Sequence, residues 1–147
     1  MENDFQRATR IRQRVNKLAD FSDDPNLISR AYGSTSFKDC SNQIASWMLE
    51  AGLDTHIDTI GNIRGKLKSN TPGAKTFVIG SYFDNIGHFG KYHGVLGVLM
   101  GIEIIENIQR KNIFLPFHIE IIAFCEKQGI HFHVPYLGSH VVSGFLE

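Results

Sequence analysis

Apolar residues near the start of the chain recur at three- and four-residue intervals, with arginines and a lysine between them. This spacing predicts an amphipathic helix that ends before Pro25, because proline cannot continue helical hydrogen bonding. A second helix is predicted from Ser36, where SFKD has the form of a capping box, to Gly52. The apolar stripes are Ala8, Ile11, Val15 and Leu18 in the first helix and Cys40, Ile44, Trp47, Met48 and Ala51 in the second.

Four later segments have the apolar content of strands. HIDTI and NIRGKLK flank Gly61-Asn62, a pair typical of a hairpin turn. The continuous apolar run KTFVIGS, residues 75–81, predicts a strand that is covered on both faces. LPFHIEIIAFC, residues 115–125, predicts another strand.

A third helix is predicted after Gly94, apolar around more than one side, and a fourth begins at GSHVVSGFLE. The order α-α-β-β-β-α-β-α favours the α/β class. We expect a three-layer sandwich with a mixed, largely parallel sheet, a hairpin at one edge and parallel strands inside. The 147 residues are long enough for a single domain, 1–147, with a sizeable core.

The composition limits the partners and the compartment. Fifteen basic and fifteen acidic side chains cancel, so no basic surface for nucleic acid is predicted. No apolar run approaches the roughly 18 residues of a membrane span, and MENDFQR lacks the apolar core of a signal peptide. The cysteines, Cys40 and Cys125, are expected to be buried, reduced thiols. We therefore expect a cytoplasmic protein that binds neither membranes nor nucleic acid.

The stretch GSYFDNIGHFGKYHG, residues 80–94, has the form of an active-site loop between the third strand and the third helix. It resembles the pattern Gly-Ser-His-x-Asp-Thr-Val, Gly-rich spacer, Tyr-Asp-Gly of the zinc-dependent aminoacylase and carboxypeptidase-type amidohydrolases. LADFSDDPNLISRAYGSTSF, WMLEAGLDTHIDTIGNIRGKL and AFCEKQGIHF resemble segments of the branch that contains allantoate amidohydrolase and N-carbamoyl amino acid hydrolase. The resemblance implies a zinc-peptidase-like fold and hydrolysis of amide or carbamoyl C–N bonds.

The resemblance also implies roles for individual positions. In such enzymes two zinc ions about 3.5–4 Å apart activate a water molecule. The position of a histidine ligand is Tyr82, that of the bridging aspartate is His93, and that of a glutamate ligand is Lys127. The acid that orients the histidine is retained as Asp84, and the general base as Glu126. The family's other ligands and its smaller lid and dimerisation domain are expected beyond residue 147, so the chain would be a truncated catalytic domain.

These replacements oppose a pair of zinc ions. Two carboxylates become His93 and Lys127, and an ammonium has no lone pair for a metal. Two like unit charges about 4 Å apart repel by roughly 4 kcal/mol even at an effective dielectric near 20. We therefore expect no zinc and no other cofactor. Lys127 or a protonated His93 is a hypothetical counter-charge for Asp84 and Glu126; the alternative is that Lys127 points at solvent.

Other histidines offer a different metal hypothesis. His131 and His133 are two residues apart, a spacing that puts two side chains on one face of a strand. With His88 and His93 they are candidates for a new mononuclear metal site, and the alternative is a pair of loop histidines.

The remaining polar candidates have simpler interpretations. None of the serines Ser81, Ser139 and Ser143 lies in a Gly-x-Ser-x-Gly elbow, so they are expected to be structural. Asp58 and Glu120 are predicted to lie in strands, on solvated faces.

Three functions remain open. The preferred one is an amidohydrolase-like domain that is catalytically inactive. The second is C–N hydrolysis by Glu126 with an altered metal site, and the third is binding of a small acid or amine in the vestigial pocket. Family members carry more protein over these elements, so a homo-oligomer or a protein partner is expected to cover the exposed surface.

Overall fold

The structure, a computed structural model, describes residues 2–87 and 89–145. Its elements follow the predicted order. The helices are α1 (Asp4–Ala19), α2 (Thr35–Glu50), α3 (Val95–Arg110) and α4 (Leu137–Ser143), and the strands are β1 (Asp54–Ile57), β2 (Ile63–Leu67), β3 (Thr76–Tyr82) and β4 (His118–Phe124). Within the described residues, no helix has both the length and the apolar character that a membrane crossing requires.

The first two helices begin at capping side chains. The Asn3 side chain accepts a hydrogen bond from the Gln6 N–H, and the Gln6 side chain accepts one from the Asn3 N–H. In α2 the cap is Ser34, whose hydroxyl accepts from the Phe37 N–H at 3.2 Å. The capping box predicted at Ser36 is therefore wrong by two residues.

The sheet has the strand order β1-β2-β4-β3. The pairs β1–β2 and β2–β4 are antiparallel, whereas β3–β4 is parallel. The α/β class, the mixed sheet and the hairpin at one edge are thus confirmed. The expectation of a largely parallel sheet is wrong for the described residues. A parallel pair requires a crossover connection, and β3–α3–β4 is the crossover unit that these residues contain.

The three long helices pack on one face of the sheet. A Cβ on Gly65 of β2 would lie 2.9 Å from the Met48 sulfur of α2, and one on Gly101 of α3 would lie 3.3 Å from Ile121 and 3.4 Å from Ile79. Gly65 and Ile79 both pair with Ile121, so α2 and α3 contact the same face, and α1 packs against α3. Among the described residues, α1, α2 and α3 thus form a helical layer on this face of the sheet.

β3 is an edge strand in the described part of the chain. Phe77 is 58% exposed and Val78 50% exposed, so the prediction of a strand covered on both faces is wrong for β3. The strand that is covered on both faces is β4, in which residues 119–123 are all buried. A continuous apolar run therefore did not distinguish the central strand from its neighbour.

Two acids predicted on solvated strand faces lie elsewhere. Glu120 is 8% exposed and pairs with the Arg64 guanidinium at 2.6 Å. Asp58 follows β1, and its Oδ1 accepts from the backbone N–H groups of residues 60–62. Asp58 therefore stabilises the hairpin turn. By contrast, Cys40 and Cys125 are buried free thiols, as predicted.

Candidate functional site

The residues singled out by the family resemblance meet at the carboxyl ends of β3 and β4. Tyr82 is the last residue of β3, and Glu126 and Lys127 are the second and third residues after the end of β4. Because these strands are parallel, their carboxyl ends lie at the same edge of the sheet. His93 joins them from the turn before α3, and Asp84 from the segment after β3.

Tyr82 and His93 form a direct hydrogen bond. The Tyr82 hydroxyl lies 2.6 Å from His93 Nε2, and the two rings meet edge to face. Burial, together with the nearby Asp84, raises the pKa of Tyr82, so the phenol keeps its proton. Gly94 permits this contact: its φ is 74°, and a Cβ there would lie 2.6 Å from the Tyr82 ring. The Nε2 atom of His93 thus already has a hydrogen-bond partner within the protein.

Asp84 is a buried carboxylate without a cationic side chain beside it. It is 2% exposed, and its Oδ2 accepts from the Lys127 backbone N–H at 3.1 Å. Its Oδ1 has no hydrogen-bond partner within the described residues. Burial raises the pKa of Asp84 to about 6, partly offset by the Lys127 N–H, and the neighbouring Glu126 raises it further.

Glu126 is buried by an unusual backbone turn. Its φ is 48°, in the left-handed region that few non-glycine residues adopt. Glu126 is only 1% exposed, and its Oε1 accepts a hydrogen bond from the His131 N–H at 2.9 Å. The carboxylate therefore lies inside the protein, directly before Lys127.

Lys127 lies over aromatic rings. Its Nζ is 5.1 Å from the ring centre of Tyr82 and 6.0 Å from that of Tyr136. Among the described residues no carboxylate oxygen lies within 4.0 Å of this Nζ. Lys127 thus forms no ion pair with Asp84 or Glu126; its backbone N–H contacts Asp84, and its charge acts on Asp84 from a distance and lowers the pKa of that acid. Lys127 as a whole residue is partly exposed.

A cavity of about 280 Å³ opens beside these groups. The Phe124 ring forms part of its wall and packs so closely over Gly80 that a Cβ there would lie 2.6 Å from it. Its lining includes Gly80, Tyr82, Phe124, Lys127, Tyr136 and Ser139.

The second metal hypothesis is not supported by the positions of its histidines. His131 and His133 are exposed and lie in a turn, not in a strand as predicted. The His131 Nδ1 lies 3.7 Å from Glu126 Oε2, whereas His88 lies outside the described residues. Over residues 2–87 and 89–145, no three His, Cys, Asp or Glu side chains are grouped so that they could hold a metal ion.

The serine hydroxyls have structural partners. Ser81 donates to the Gly94 carbonyl at 2.7 Å, and Ser139 donates to the Tyr136 carbonyl at 3.0 Å. Ser143 donates in the same way to His140. These bonds agree with the prediction of structural serines.

Two aromatic residues of the site were not identified from the sequence. Tyr136 forms the second ring beneath Lys127, and Phe89 stacks on the His93 imidazole with ring centres 4.8 Å apart. Both lie in loops, where no periodic pattern marks them. Their proximity to lysine and histidine depends on the tertiary structure.

Comparison with known proteins gives sequence and structural relatives, although no family model matches the chain. An N-carbamoyl-L-amino-acid amidohydrolase of Pseudomonas sp. (strain NS671) is 40% identical over 101 residues, 69% of this chain and 24% of that protein. A probable allantoate deiminase of Oryza sativa subsp. japonica is 33% identical over 139 residues, 90% of this chain and 28% of that protein.

Comparison with solved structures gives related amidases with the same fold. The crystal structure of a hydantoinase/carbamoylase family amidase from Burkholderia ambifaria matches with a TM-score of 0.87 at 25% identity, over 94% of this chain and 34% of that one. The chain thus spans 24% to 34% of the length of these proteins. With sequence and fold in agreement, the chain belongs to the family of N-carbamoyl-L-amino acid amidohydrolases and allantoate amidohydrolases.

Proposed function

We propose that this chain is an amidohydrolase-like domain without the two-zinc centre of its family, and that it is catalytically inactive. The observation that carries the proposal is the Tyr82–His93 hydrogen bond of 2.6 Å beside the Lys127 ammonium, 5.1 Å above the Tyr82 ring. These three residues stand at the positions that the resemblance assigns to zinc ligands. They contact one another instead of leaving an open set of donor atoms.

The chemistry of the three groups does not fit a pair of zinc ions. The Tyr82 phenol stays protonated because burial raises its pKa, and His93 Nε2 is engaged in the hydrogen bond with that phenol. The Lys127 ammonium has no lone pair and would repel a cation. Paired divalent ions require anionic ligands to offset their charge, and these positions supply none.

The retained acids do not restore the reaction. Glu126 stands at the general-base position, but a base of this kind acts on water whose pKa a bound metal has lowered far below that of bulk water. Its Oε1 already accepts the His131 N–H, and Asp84 accepts the Lys127 N–H. Without metal-bound water, these carboxylates serve as buried hydrogen-bond acceptors.

Metal content and ammonia release test the proposal together. The native chain, purified with zinc present, is expected to contain well under one zinc per chain by plasma mass spectrometry. It is also expected to release no ammonia from an N-carbamoyl amino acid or from allantoate. The triple variant Tyr82→His, His93→Asp, Lys127→Glu replaces the opposing groups with donors, so its zinc content is expected to rise to at least about one per chain.

The matched control is Lys91→Glu, which makes the same charge change at an exposed lysine bonded to Asn16. It should leave the zinc content at the native level. Close to two zinc ions per native chain, together with ammonia release that a chelator abolishes, would contradict the proposal.

A further inference from the structure

Lys127 is a cation at the wall of a cavity, and no carboxylate oxygen in the described residues lies within 4.0 Å of its Nζ. We infer that this cavity binds a small carboxylate with a flat apolar group, and that the Lys127 ammonium holds the carboxylate. The inference depends on the proposed function in one respect, namely that a metal does not displace Lys127.

The rings beneath Lys127 hold its charge in place. The Nζ atom lies within about 6 Å of two tyrosine ring centres, the range in which a ring face attracts a cation. An ammonium has three donors, and no acceptor among the described residues is within hydrogen-bond distance of Nζ. The ammonium is therefore positioned by the rings and free to donate to a ligand.

The cavity has the size and lining for a small planar acid. Its 280 Å³ would hold about nine water molecules, at roughly 30 Å³ each in the liquid. Tyr82, Phe124 and Tyr136 provide apolar ring surface, and the Ser139 hydroxyl adds a polar atom. This combination of ring faces and a single cation suits an aromatic monocarboxylate.

The charges around the cavity favour an acid over an amine. The nearest carboxylates, Asp84 and Glu126, are buried at 2% and 1% exposure, and neither forms part of the cavity wall. An amine entering the cavity would instead meet the Lys127 ammonium, which repels it. The acid is also the better match because burial of an unpaired ammonium is costly until an anion joins it.

Calorimetric titration with benzoate tests this inference on chain that has been dialysed against a chelator. We expect saturable binding at one site in the native chain. Lys127→Met, which keeps the side-chain length and removes the charge, should weaken it about 10- to 100-fold, since hydrogen bonds to charged groups contribute this much. Lys127→Arg should retain most of the affinity. The matched control is Lys91→Met, because Lys91 also lies over a tyrosine ring, 5.6 Å from its centre, but is exposed.

A second measurement does not depend on the variants folding. In the native chain, benzoate should shift the NMR resonances of the Tyr82 and Tyr136 rings and leave those of Tyr92 unchanged. Equal benzoate affinity in native and Lys127→Met chain, benzylamine binding as tightly as benzoate, or an absence of saturable binding would each overturn the inference. Its failure is distinct from that of the proposed function, because zinc content is measured on undialysed chain and benzoate binding on metal-free chain.

Discussion

Glu103 in α3 and Asp84 after β3 are equally buried carboxylates, each 2% exposed, but their surroundings differ. Glu103 accepts hydrogen bonds from the guanidinium groups of Arg7, Arg10 and Arg110 at 2.7–3.2 Å. Asp84 accepts one backbone N–H, and its second oxygen has no partner in the described residues.

The pKa values of the two acids reflect this difference. Burial tends to raise both, but at Glu103 the arginines outweigh it and the pKa falls below its ordinary value. At Asp84 burial prevails and the pKa rises to about 6. Direct hydrogen bonds from cations therefore compensate the carboxylate where α1 packs on α3, whereas Asp84 at the candidate site has no such bond and burial prevails.

Removal of the compensated carboxylate should have the largest effect. Glu103→Gln leaves three arginines facing one another at a partly buried position, so we expect the free energy of unfolding to fall by about 3–4 kcal/mol. Urea denaturation at pH 7 measures the change. The control is Asp4→Asn, which removes an exposed partner of the same Arg7 and should leave the midpoint unchanged. Equal losses of unfolding free energy in Glu103→Gln and Asp4→Asn would show that the buried carboxylate contributes no more than the exposed one.

Asp84→Asn should increase the free energy of unfolding, and the size of the increase should depend on pH. With a folded pKa of about 6 and an ordinary value of 3.8, the folded state holds the proton more tightly, so native stability falls as pH rises from about 4 to 6. The amide does not ionise. Relative to the native chain, the variant should therefore gain about 2–3 kcal/mol between pH 4 and pH 7, at about 1.4 kcal/mol per pKa unit.

Urea denaturation of both chains across this pH range measures the gain. Glu126, Lys127 and the buried Arg30 are the charged groups that act on Asp84, and all three are unchanged in the variant. A difference between the two chains that stays constant with pH would show that Asp84 is not the titrating group.

Tyr82→Phe should have the smallest effect. It removes the hydroxyl bonded to His93 Nε2 without changing the ring, so we expect a loss of about 1 kcal/mol in stability. The ¹⁵N shifts of the His93 imidazole should also change, because Nε2 loses its hydrogen-bond partner. Tyr92→Phe is the control, since Tyr92 is 46% exposed. Unchanged shifts in Tyr82→Phe would mean that the bond does not form in solution.

Much of the fold could be predicted from local patterns. The stripe of α1 and the turn at Gly61-Asn62 were identified because helix and hairpin signals are local. The start of α2 was misplaced because the Ser36 hydroxyl bonds to Asp23, a contact between distant segments, at 2.6 Å. The exposure of β3 was missed because an apolar run does not specify which strand lies between two others.

The candidate site was predictable in its residues but not in its contacts. The family motif located Tyr82, His93 and Lys127, and the structure brings them together. The direction of Lys127 was not predictable, since it depends on the left-handed backbone of Glu126 and on Tyr136, ten residues away in sequence from that turn. Charge could be counted from the sequence, whereas the partner of each charge required coordinates.

The edge position of β3 should be visible in amide hydrogen exchange. In a parallel ladder, N–H groups point alternately to either side of the strand, so every second amide of β3 is bonded to β4 and the others face outward. Exchange along Thr76–Tyr82 should therefore alternate between slow and fast. Any strand that pairs with this edge would slow the exchange of the fast amides. Their exchange rates therefore report whether such pairing takes place.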